Sequence, residues 1–235
     1  MKKLTNAKGT EVTSHPVVSK ASMLSMFFPE FKSLSETELE DAAQYFKQVV
    51  FEKNEIILME GEKSKMLYFL TTGKVSAINY QKDGRPFISH IYQASSFFAE
   101  CSLEDSPLPL PFDLISMEHS KALRIEVEDF WQLLEKHPKL YRVFMSSLAK
   151  KNLEQNQKIS LLAIPDAYSR VEKALILIHQ KDPLKRAIQM RHEDIGNFCY
   201  VSRETTTRMI SKLIEAGAIE VDGRLITPKN SVATQ

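Results

Sequence analysis

The chain has 235 residues, 43% of them apolar and 26% charged, with 31 Lys and Arg against 30 Asp and Glu for a formal net charge of +1. Those values describe an ordinary globular chain of one or two domains and exclude a polycation that binds acidic partners through bulk charge. Its two cysteines, Cys101 and Cys199, lie far apart in sequence, which excludes a structural disulfide framework. Residues 166–235 carry 11 Lys and Arg against 9 Asp and Glu, so any affinity for an acidic partner has to come from local placement.

Residues 1–26 read as a flexible arm, because few bulky apolar groups occur in residues 1–22. The apolar run Met23–Phe28 is too short and too late for a signal peptide or a membrane span, so no membrane partner and a cytoplasmic location are expected. Ser35 and Glu38 fit a capping box, with Leu34 and Leu39 as the accompanying hydrophobic staple, and predict a helix over 36–47. From Val49 the texture changes to short β-prone runs at 56–58, 67–70, 75–80 and 87–92, separated by turns containing Gly61, Gly73 and Gly84. Regularly spaced short strands predict a jelly-roll barrel, placed in a domain over 27–137.

Residues 138–162 read as one long helix, and Tyr141, Met145, Leu148, Asn152, Gln155, Ile159 and Leu162 follow alternating steps of four and three. That is a heptad seam, and it predicts a homodimer in which the central polar pair sets register. The alternative is a helix packed on its own barrel. Ile164-Pro165-Asp166 breaks the helix, so 138–164 form a dimerisation helix and hinge. In the remaining unit, 165–235, residues 191–198 predict a short helix, Cys199-Tyr200-Val201 a turn, and Ser202 the N-cap of a second helix. Val201, Thr205, Met209, Ile210 and Leu213 are expected on its core side. Arg203, Glu204, Thr206, Thr207, Arg208 and Lys212 are expected to project outward, with Ser202 at the tip. Such a helix suits the DNA major groove, where Arg bonds guanine in bidentate fashion and a carboxylate accepts from cytosine. The plainer alternative for Glu204 and Arg208 is an exposed i,i+4 ion pair. Asp222-Gly223, between 218–221 and 224–227, signals a hairpin, and a winged helix-turn-helix results.

Ser202-Arg203-Glu204-Thr205 followed by Arg208, framed by Ile195-Gly196 and Ile219, resembles the Crp/Fnr family of bacterial transcription factors. Met59-Glu60-Gly61-Glu62, Leu67-Tyr68-Phe69-Leu70, Gly73 and Ser96-Phe97-Phe98-Ala99-Glu100 extend the resemblance over about residues 27–230. It implies an α+β chain: a cyclic-nucleotide-binding-type jelly roll, a long dimerisation helix and a winged reader of double-stranded DNA. It also implies base contacts from the residues matching Arg203, Glu204 and Arg208, on an inverted repeat related to TGTGA. Activation through contact with RNA polymerase is implied in the same way, although the matching hairpin at 181–186 differs in sequence.

In nucleotide-binding members of that family an Arg-Ser pair holds the cyclic phosphate. Here Glu100 keeps its match to the residue that bonds the ribose, but Leu110 and Pro111 stand where Arg and Ser would be, and no Arg or Lys occurs between Arg85 and Lys121. An enclosed anion needs paired charge and hydrogen bonds to offset desolvation, so cyclic AMP is disfavoured as the effector. The resemblance places Gln155 and Asn156 on the pocket wall, where they suit a neutral polar ligand. Three inputs stay open: a pocket plugged by the proline-rich segment, a noncyclic or apolar effector, and a redox or metal signal. Cys101, beside Glu100 and Glu104, reads as a buried structural thiol. The six histidines show no ligand-like pairing, so no metal site is expected, and no catalytic constellation is present. The rival function is a cyclic-nucleotide-type regulatory module acting on a partner protein, which would not need the Ser202–Leu213 helix or the wing.

Overall fold

The computed structural model describes residues 18–104, 108–182 and 187–229. Ser19 accepts a hydrogen bond from Ser22 N at 3.1 Å and starts α1 (Lys20–Phe27). Most of the expected arm therefore lies outside the described residues, and its last part is helical. Leu24 and Phe28, from the apolar run at the end of the arm, are the reason, because both are fully buried in the barrel core. Ser35 forms the predicted capping box with Glu38 and opens α2 (Glu36–Gln44). This helix stops before residue 47 because Phe46 turns into the core and Lys47 begins a strand.

The eight strands of the barrel are β1 (Lys47–Phe51), β2 (Ile56–Leu58), β3 (Met66–Thr72), β4 (Lys74–Tyr80), β5 (Pro86–Gln93), β6 (Ser96–Phe98), β7 (Asp113–Ser116) and β8 (Ser120–Glu126). They form two four-stranded antiparallel sheets, ordered β1-β8-β3-β6 and β2-β7-β4-β5, which is the predicted jelly-roll arrangement. The β3–β4 turn requires Gly73. Its φ is +92°, and an added Cβ would lie 2.1 Å from Ser120 Oγ. Phe69 on β3 is fully buried at the centre of an aromatic cluster, with ring centroids 5.2 Å from Phe28 and Phe46, 5.8 Å from Phe97 and 6.0 Å from Phe31 and Phe144.

After α3 (Val127–Lys136), α4 (Lys139–Leu162) runs along the barrel and buries Leu140, Phe144, Lys158 and Leu161. Most of the predicted seam lies on its other side: Tyr141, Met145, Asn152, Gln155 and Ile159 are exposed and Leu162 is half-buried, whereas Leu148 packs against the barrel core. Met145 and Ile159 keep 63% and 65% exposure, so this chain by itself leaves an apolar stripe uncovered. Asp166 then accepts from Ser169 N at 2.7 Å and starts α5 (Ala167–Lys181).

The C-terminal unit adds β9 (Ile188–Gln189), α6 (His192–Cys199), α7 (Arg203–Glu215), β10 (Ile219–Asp222) and β11 (Leu225–Pro228). Its sheet has the order β10-β11-β9 and packs behind the helices. The hairpin loop is Gly223-Arg224 rather than Asp222-Gly223, because Asp222 pairs with Leu225, and Gly223 supplies the positive φ of 57°. Among the described residues no helix is long and apolar enough to cross a membrane.

Candidate functional site

Ser202 caps α7 by accepting from Thr205 N at 3.2 Å, leaving the first turns of the helix free to face outward. Arg203, Glu204, Thr207, Arg208 and Lys212 are exposed, as expected from the sequence. Glu204 and Arg208 take no part in the described ion pairs of this unit, which join Arg191 to Glu193 and Asp194, and Lys229 to Glu220. Thr206 requires a correction. It is fully buried with Met209, Ile210 and Leu213, while Thr205 is only half-buried. The apolar stripe thus runs through 206, 209, 210 and 213, and Thr206 cannot touch a ligand of the outer face.

Close packing against α6 causes this rotation. A Cβ on Gly196 would lie 2.6 Å from Val201 O and 2.8 Å from Thr206 Oγ1, so only glycine lets the two helices approach this far. Val201 N donates to Gly196 O at 2.9 Å across the turn, and Tyr200 between them takes the left-handed conformation with φ 54°. One outer residue that the sequence reading missed is His192. Its Nδ1 lies 3.0 Å from Thr207 Oγ1, which itself donates to Arg203 O at 3.0 Å, and Arg191, His192, Glu193, Arg203 and Thr207 line one shallow groove. The spacing of 15 residues between His192 and Thr207 becomes proximity only once the helix pair folds.

The reader touches the barrel through the same turn. Phe87 on β5 packs edge-on against Tyr200 at 5.9 Å, Arg85 lies 5.4 Å over the Tyr200 ring, and Arg170 donates to Tyr200 O at 3.4 Å. Lys158 of α4 closes the junction: its Nζ donates to Phe198 O and sits over the rings of Phe198 and Phe87. Burial pushes Lys158 down to about 6, with Cys199 opposing the shift and Lys181 adding to it. Above that value Lys158 is neutral in the folded protein, whereas the unfolded chain keeps the proton up to the ordinary lysine value of 10.5. Unfolding therefore takes up a proton, and this group makes stability rise with pH from about 6 upward. Lys158→Met should stabilise the protein most at the low end of that window and flatten the rise measured by urea unfolding between about pH 7 and 8.5. An unchanged slope would show that Lys158 stays charged in the fold.

In the sensor, Glu100 opens a short 3₁₀ turn (Glu100–Leu103) after Ala99, which adopts a left-handed φ of 67°. Cys101 is half-buried, and burial followed by the Glu100 charge pushes its thiol up, which makes it a poor nucleophile. Leu110 points into the barrel core and holds Gly61 and Glu62 through backbone bonds of 2.8 Å, while Pro111 is exposed. Pro107 lies outside the described residues. Gln155 and Asn156 require a second correction: both are exposed on α4, facing away from the barrel, and Asn156 bonds Asn152 at 3.3 Å. The helix instead offers Lys151, whose Nζ is 2.9 Å from Glu100 Oε1 and 2.5 Å from Phe97 O. Spacing held the signal: Phe144, Leu148, Lys151, Lys158 and Leu161 share the barrel side of the helix, whereas Gln155 belongs to the seam. Neither Leu110 nor Pro111 supplies a charge or hydrogen-bond donor for a cyclic phosphate, and the cation nearest Glu100 is already engaged by it.

A jelly-roll sensor joined by one long helix to a winged helix-turn-helix defines a one-component DNA-binding regulator. Residues 48–137 match the cyclic nucleotide-binding domain family and residues 169–230 the Crp-like helix-turn-helix domain family. The chain is 25% identical over 193 residues to the cyclic AMP receptor protein of Thermus thermophilus, covering 82% of this chain and 88% of that protein. Its fold is similar to that of FixK2 from Bradyrhizobium japonicum, with a TM-score of 0.70, 21% identity and coverage of 79% and 93% of the two chains. It is also similar to the c-di-GMP responsive global regulator CLP of Xanthomonas campestris, with a TM-score of 0.67, 18% identity and coverage of 83% and 99%. The chain belongs to the Crp/Fnr family of DNA-binding transcription regulators.

Proposed function

We propose that the protein is a homodimeric transcription regulator that reads an inverted repeat related to TGTGA and does not use cyclic AMP. The observation that carries this reading is the outward row Arg203, Glu204, Thr207 and Arg208 at the start of a helix locked from behind by Thr206, Met209, Ile210 and Leu213. Arg203 and Arg208 supply bidentate donors for guanine, Glu204 an acceptor for cytosine N4, and Lys212 a phosphate contact further along the groove. The absence of a phosphate partner at Leu110 and Pro111 supports the loss of cyclic-AMP response, and the differing effectors named for the similar regulators show that the barrel fold alone does not choose a ligand. Activation by contact with RNA polymerase belongs to the same proposal; residues 183–186 of the differing hairpin expected at 181–186 lie outside the described residues.

The test is fluorescence anisotropy of the full chain on a TGTGA-type inverted repeat, with and without cyclic AMP, beside a scrambled duplex at the same salt. Selective binding unaffected by nucleotide is expected. Selectivity that appears only with cyclic AMP would overturn the effector half of the proposal, and no selectivity in either condition would overturn the half-site.

Dimerisation is supported by the uncovered stripe on α4. Two reading helices related by a two-fold axis suit half-sites about one DNA turn apart. The paired change Met145→Glu and Ile159→Glu places carboxylates on the seam, away from the barrel side of the helix. It should convert the protein to a monomer in sedimentation and weaken operator binding about tenfold or more, about 1.4 kcal/mol. A variant that stays dimeric would move the interface elsewhere.

A further inference from the structure

We infer that the sensor barrel contains a binding site for a primary alkylammonium group, and that Lys151 fills this site as a tethered ligand. Four groups converge on one nitrogen. Lys151 Nζ donates to Phe97 O at 2.5 Å and to Glu100 Oε1 at 2.9 Å, lies 3.8 Å from the centroid of the Phe97 ring, and lies 5.2 Å from that of Tyr92. A carboxylate, a carbonyl and two aromatic faces are what a compact ammonium needs to leave water: acceptors for its protons and quadrupoles for its charge. The site is enclosed, with the Lys151 side chain 13% exposed, and Glu100 Oε2 is buried without a hydrogen-bond partner among the described residues. The charge arrangement selects the ligand class. With Lys151 withdrawn, the charged groups that act on its place are Glu100, with Glu154 and Glu30 further off, all of them negative, so an anion is repelled and a cation of the same shape is attracted.

The tether also explains what the site does. Lys151 projects from the helix that carries the proposed dimer seam, and its partners belong to β5, β6 and the turn at Glu100. Filling the site therefore fastens that helix to the barrel, as an external effector would, without any diffusible molecule. Nearby, Glu154 on the same helix faces Lys181 at 3.2 Å and His90 at 4.0 Å; burial holds His90 down to about 2, so that histidine is neutral and does not compete for Glu100.

Lys151→Ala removes the atoms of n-propylammonium and leaves Glu100 in place. In the full-length chain it should lower the unfolding temperature, and n-propylammonium chloride should restore part of the loss in a saturable way. Sodium chloride at equal ionic strength and 1-propanol, the neutral analogue, should not, and wild type should not respond. No restoration, or equal restoration by propanol or salt, would overturn the assignment. If Lys151→Ala does not fold, Lys151→Met keeps the stem; it should be less stable than wild type, and adding Glu100→Gln should recover the loss, because it removes the stranded carboxylate. A Lys151→Met variant as stable as wild type would overturn the assignment equally. Thermal unfolding needs no DNA, so a failed operator assay leaves this result interpretable.

Discussion

Phe69→Ala is expected to destabilise the protein by about 3–5 kcal/mol, the range for truncating a fully buried aromatic side chain. Phe69 has no solvent exposure and meets Phe28, Phe31, Phe46, Phe97, Phe130 and Phe144, rings contributed by five different parts of the chain. Because these rings surround it on all sides, the cavity has few ways to collapse, which places the expected loss high in the range. A domain is commonly stable by only about 5–15 kcal/mol, so the variant should be close to unfolding at physiological temperature. Phe144 belongs to α4, so the mount of the proposed dimer helix should loosen together with the sensor. Equilibrium urea unfolding measures the effect, and a loss below about 1 kcal/mol would mean that this cluster does not anchor the barrel.

Arg203→Ala should weaken binding to the preferred operator by about 1–3 kcal/mol and relax discrimination at a single base pair. The side chain is exposed on the first turn of α7, where a bidentate contact to guanine is geometrically accessible, and it carries little of the core. Folding stability should therefore change little while specificity changes much. Anisotropy across a panel of operators substituted one position at a time separates the alternatives. Selective loss at one position supports base reading, whereas equal weakening on every duplex, together with a shallower salt dependence, would demote Arg203 to a phosphate contact. Thr207 makes a useful comparison because its hydroxyl is occupied by His192 and Arg203 O, which fixes its orientation before any DNA arrives.

The division into barrel, long helix and reader was legible in the residues because each part rests on local rules. A capping box at Ser35 and Glu38, an N-cap at Ser202, glycine-marked turns between β-prone runs and the helical repeat of residues 138–162 are short-range signals, and all correspond to elements of the fold. Charge pattern likewise located Arg203, Glu204, Arg208 and Lys212 on the outer side of α7. Apart from the one-residue shift of the wing loop, which is local, the errors have one physical origin, contact between segments distant in sequence. Leu24 and Phe28 order a helix at the end of the expected arm because barrel residues receive them. Thr206 rather than Thr205 faces inward because Gly196 draws α6 against that point of α7. Lys151 rather than Gln155 reaches Glu100 because α4 divides its circumference between its own barrel and the exposed side. Periodicity determines that a helix has an apolar side and a polar side; which residue at the border goes in, and which buried charge finds Glu100, is decided only when the elements pack.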